Sequence, residues 1–130
     1  MEDQLISFET AKLAKEKNFD IKVLNYYNQY GCLNNGAKKQ YLDLMDYNAL
    51  ISFGDHSAPT QSLLQKYLRD DFKIHIIINP TVTDWWTFGL CNIGNENIGL
   101  RGKIIYDKSD YNTFEDALEE GLKTALKLIK

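Results

Sequence analysis

The chain has little of what marks the common functional classes. Two cysteines, Cys32 and Cys91, stand far apart in 130 residues and match no metal-binding spacing. Histidine is equally scarce, and His56 and His75 lie in unrelated contexts, so the ligands of a tetrahedral zinc site are missing. No apolar run exceeds four residues, too short for a bilayer-spanning helix. The opening MEDQLISFET lacks the basic start and apolar centre of a secretion signal. The expectation is a cytoplasmic protein with two free thiols and no membrane partner. Positive charge is short too: 15 Lys and Arg against 18 Asp and Glu leave a net charge of −3, without the cationic footprint of a nucleic-acid binder. G-x-S-x-G, the P-loop, the dinucleotide G-x-G-x-x-G and H-E-x-x-H are all absent, which removes the commonest nucleophile, phosphate and metal chemistries. No metal, cofactor or catalytic set is expected, although missing motifs do not exclude an enzyme.

What is present is the material of a folded core. With 44% hydrophobic, 12% aromatic and 25% charged residues, the composition predicts a single α+β domain over residues 1–130. Ser7 is a helix cap, and Phe8, Ala11 and Ala14 follow at helical spacing towards an end at Lys17–Asn18. Residues 21–30 read as a Tyr-rich strand broken by Gly31 and the Asn34-Asn35-Gly36 cluster. The segment 37–53 fits no period and reads as one or two short strands, and 53–59 reads as a loop. Pro59 then opens a helix carrying Leu63, Leu64, Tyr67 and Leu68. Strands are predicted at 73–79, 85–92 and 98–107, followed by a final helix capped by Thr113 with Asp116 three residues on. Its apolar face comprises Phe114, Ala117, Leu118, Gly121, Leu122, Ala125, Leu128 and Ile129.

The order helix, three strands, helix implies an antiparallel sheet with both helices on one face, and it resembles the double-stranded-RNA-binding topology. Alternation assigns Ile74, Ile76, Ile78, Trp86, Phe88, Leu90, Leu100, Ile104 and Tyr106 to the helix side. His75, Ile77, Trp85, Thr87, Arg101, Lys103 and Ile105 fall on the other side, covered by the Tyr26–Tyr30 strand or left open for binding. In RNA-binding relatives of that topology the last helix starts with a basic cluster, where this chain has Glu115, Asp116, Glu119 and Glu120. Carboxylates there repel phosphates, so nucleic acid is disfavoured as a partner.

Two candidate sites stand out. Asp55, His56 and Ser57 precede a helix start, where backbone amides could hold an anion and His56 could exchange a proton. The bland alternative is that Ser57 or Thr60 caps the helix and Asp55-His56 is solvated loop. The second candidate is a ligand surface formed by His75, Trp85 and Arg101, against which stands simple packing of Trp85.

The stretches APTQSLLQKYLR (58–69) and YNTFEDALEEGL (111–122), with ISFETA (6–11) and KNFD (17–20), resemble a group of short, uncharacterised proteins encoded by phages and prophages of Bacteroidota. That resemblance brings no assigned activity; it implies a bacterial host cytoplasm and an accessory role. The leading expectation is a small protein that works by binding a protein of the host or the phage, homodimerisation being open. The rival of a different class is binding or hydrolysis of a small nucleotide-like anion.

Overall fold

In a computed structural model of the protein, the described residues form three α-helices and six antiparallel strands. The structure describes residues 4–35, 46–49, 54–81, 84–92, 104–106 and 110–129. The chain divides into two compact units, Leu5–Thr60 and Gln61–Lys130 with Met1–Gln4.

The first unit starts with helix α1 (Phe8–Glu16), capped as its sequence predicts: Ser7 Oγ accepts from Thr10 N at 3.2 Å. Its other end closes in a Schellman motif. Asn18 adopts φ +64°, its N–H donates to Lys15 O, and Phe19 N donates to Ala14 O at 3.0 Å. The turn drives Phe19 into the core beside Ile6, Ala11, Ala14 and Val23.

Only three residues of the Tyr-rich stretch pair as a strand. β1 (Asn25–Tyr27) lies between β2 (Leu33–Asn35) and β3 (His56–Ser57). The expected strand over 21–30 is cut short by Asn28, whose Oδ1 accepts from Tyr30 N and Cys32 N and bends the chain back through Gly31 (φ +83°). Asn34 and Asn35, expected in a turn, are strand residues facing Tyr26 and Asn25. The expected loop at 53–59 contains β3, because the His56–Ser57 backbone finds partners on β1. Within 37–53 the described part is a turn of 3-10 helix, Tyr47–Ala49, and not a strand. The remainder of that segment lies outside the described residues.

The second unit keeps the predicted order: α2 (Gln61–Phe72), β4 (Ile74–Pro80), β5 (Trp86–Asn92), β6 (Ile104–Tyr106) and α3 (Phe114–Leu128), with the strands in sequence order. α2 begins at Gln61, two positions after Pro59. Pro59 is instead buried in the first unit, its carbonyl accepting from Ile6 N. α3 is capped by Thr113, whose Oγ1 accepts from Asp116 N at 3.0 Å.

Both helices lie on the sheet face that carries the buried residues Ile74, Ile76, Phe88 and Leu90, as alternation predicts. Leu64 and Leu68 of α2 and Leu118, Leu122 and Leu126 of α3 complete this core. Two assignments are corrected. Leu126, outside the expected stripe, is fully buried, whereas Phe114 is 41% exposed because it precedes the point where α3 meets the sheet. The register pairs Leu90 with Ile105, and the expected facing of Leu100, Ile104 and Tyr106 lies outside the described side chains.

α3 approaches the sheet at Gly121, where a Cβ would stand 2.9 Å from Ile76 Cγ2 and 3.4 Å from the Phe88 ring. Alanine there gains about 1 kcal/mol of helix propensity. Forcing the helix off a packed sheet costs about 1–3 kcal/mol. We therefore expect Gly121→Ala to be neutral to destabilising and Gly121→Val to lose at least about 2 kcal/mol, measured by urea unfolding.

Candidate functional site

Ser57 is the most enclosed of the expected site residues among those described. It is fully buried, its N–H donates to Asn48 Oδ1 at 2.8 Å, and its Oγ accepts from Tyr47 N at 3.1 Å. The hydroxyl therefore holds the 3-10 turn in place and neither caps α2 nor stands free as a nucleophile. Asn48 completes the tie by donating from Nδ2 to Phe19 O at 2.9 Å. Tyr47 stacks on Tyr26 with ring centroids 4.3 Å apart, and its hydroxyl donates to Leu24 O.

His56 belongs to a strand and not to a helix start. It pairs with Tyr27, and its ring meets the edge of Phe8 at 5.4 Å. Its Nδ1 is buried without a hydrogen-bond partner. Burial, with the charges of Lys15 and Lys12 close by, lowers its pKa from the ordinary 6.5, against an opposing pull from Asp55. Asp55 contributes its backbone carbonyl, which accepts from Lys15 Nζ at 2.8 Å. A general base requires a partner that orients it, and no hydrogen bond joins Asp55 to Nδ1 of His56. The amide of Gln61, first residue of α2, is already donated to Gln4 O at 2.7 Å.

The second expected surface separates on the sheet. His75 faces Cys91, while Trp85 precedes β5 and its carbonyl accepts from the Thr81 amide at 2.7 Å. Six positions along β4 put the two side chains about 20 Å apart, beyond any shared contact. Arg101 lies outside the described residues. An open concavity of about 270 Å³ lies elsewhere, lined by Lys15, Asn18, Asp20, Asp46 and Asn48 among others. Its Lys15 and Asn48 already serve backbone carbonyls, and Asp20 and Asp46 oppose an anion.

What sequence reading missed is an aromatic cluster at the start of α3. Trp86 and Tyr111 exchange both backbone hydrogen bonds at 2.8 Å. Phe114 meets the half-buried Trp86 ring edge-on at 5.6 Å, and Tyr111 lies over Phe88 at 6.0 Å. Trp85, leaving the strand end next to Trp86, is 40% exposed. Phe114 was assigned to the core stripe because it obeys the helical period; its position as the first residue of the helix, ahead of the stripe, was the available signal. Among the described residues no three His, Cys, Asp or Glu side chains converge as metal ligands. Nor is any helix there long and apolar enough to cross a membrane. Cys32 is exposed and Cys91 half-buried, and both are free.

Two outcomes follow from these contacts. Asn48→Ala strands Ser57 N and Phe19 O and is expected to destabilise the protein by about 2 kcal/mol in urea titrations. For His56, folding favours the neutral ring. The folded state therefore binds fewer protons than the unfolded chain just below pH 6.5. Its contribution is full above that pH, declines as pH falls through 6.5 and levels once the folded-state value is passed. Thermal melts between about pH 7.5 and 5.5 should show a shallower decline for His56→Phe than for the wild type.

Comparison with family models, with curated proteins and with solved structures finds no match, so the likeness to the double-stranded-RNA-binding topology rests on the order of the elements alone.

Proposed function

We infer that the chain acts by binding another protein, in the manner of a small phage or prophage accessory protein working inside its host cell. The observation that carries this reading is the aromatic cluster at the start of α3. Phe114 is 41% exposed although it is braced by Trp86, and the exposed Trp85 is the next residue along the chain. Large aromatic side chains held rigidly at a surface are the usual anchors of protein interfaces, since ordering them on binding costs little entropy.

The small-anion reading has less support. Ser57 is enclosed, Gln61 N is taken, and His75 and Trp85 are far apart along the sheet. Nucleic acid is opposed by Glu115, Asp116, Glu119 and Glu120, all on the first half of α3.

The test is capture from the bacterial host with the tagged full chain, beside Trp85→Ala and Phe114→Ala. The wild type should recover a stoichiometric protein partner, and the Phe114→Ala chain should lose it. Because both side chains stand outside the buried core, each variant should keep its stability to within about 1 kcal/mol. Absence of any stoichiometric partner, or capture untouched by both substitutions, overturns the reading.

A further inference from the structure

The geometry points to a basic segment as the occupant of the α3 aromatic cluster: a stretch of a partner protein with an aromatic or aliphatic anchor flanked by lysine or arginine. This rests on the protein-binding reading and adds the chemistry of the partner. The anchor position is set by Phe114, whose ring is held by Trp86, which is in turn fixed by two backbone hydrogen bonds to Tyr111. The described charged residues nearest these aromatics in sequence are acidic, while Lys108, three positions before Tyr111, lies outside the described residues. Asp84, Asp110, Glu115 and Asp116 each stand one or two positions from Trp86, Tyr111 or Phe114. Among the described residues of 84–92 and 110–120 there is no lysine or arginine. The nearest cation along α3, Lys123, is engaged by Glu120 at 2.7 Å.

Asp110 and Asp116 are exposed. The positive pole of α3 amounts to about half a charge, so the two carboxylates of its first turn, Glu115 and Asp116, outweigh it. A partner with lysines around an apolar anchor would place the anchor on Phe114 and its cations on this rim. An acidic partner or a phosphate backbone would be repelled from the same ground.

The full chain is titrated by calorimetry and by amide NMR, at about 50 mM salt where exposed charges still act, with Gly-Lys-Lys-Trp-Lys-Lys-Gly and with its counterpart carrying Glu for every Lys. The basic peptide should bind, shifting the signals of Trp86 and Phe114, and the acidic one should not. Asp84→Lys with Asp110→Lys, both at exposed positions outside the helix, should weaken the basic peptide at least fivefold, and Phe114→Ala should abolish its binding. Equal binding of both peptides, no binding of the basic one, or indifference to the double charge reversal overturns the proposal. If the host partner is lost from Phe114→Ala yet retained by the charge-reversed chain, the protein-binding reading survives and the basic occupant does not. If the partner is retained by Phe114→Ala as well as Trp85→Ala, both fall.

Discussion

The second unit depends on one close approach, the seating of α3 on the sheet at Gly121. With no side chain there, the helix lies directly against Ile76 and Phe88. Leu118, Leu122 and Leu126 are then carried into the core, where Ile74 and Leu90 are also buried. The same seating determines what happens seven residues upstream, about 10 Å along the helix. Phe114 is carried past the buried part of the sheet and meets the ring of Trp86 at the start of β5. Core packing and surface aromatic are therefore two ends of one constraint.

The first unit is organised differently. Its strands are two or three residues long, too short for ladder bonds alone to hold them. Asn48 supplies what the ladder does not, joining the chain after α1 through Phe19 O to β3 through Ser57 N. Polar side chains that satisfy buried backbone groups are worth most where no secondary structure does so.

The contrast explains what could be read from the sequence. Periodicity and caps are local, so α1, α2, α3 and the isoleucine strand β4 were legible from their own residues, as were the caps Ser7 and Thr113. Alternation also assigned the helix side of β4 and β5. For β6 alternation alone leaves the register open, because a shift of one position exchanges the two faces and pairing with β5 fixes it. The Asn28 turn and the Asn48 tie were not legible. Asparagine favours turns, but which backbone groups it reaches depends on residues up to 29 positions away. For the candidate site, residue types were informative and placement was not. His56 and Ser57 looked available because Asp-His-Ser reads as loop, and pairing with β1 hid them. Phe114 looked hidden because it keeps the helical period.

The tie through Asn48 also bears on how the protein breathes. A sheet of two- and three-residue strands has no long ladder along which it could fray one rung at a time. The amides of Tyr47 and Ser57 are guarded by side chains, and each of those side chains is held by the segment that the other protects. Hydrogen exchange at these two amides is thereby linked to a single opening event, making 47–49 and 56–57 one cooperative unit although the residues are not consecutive.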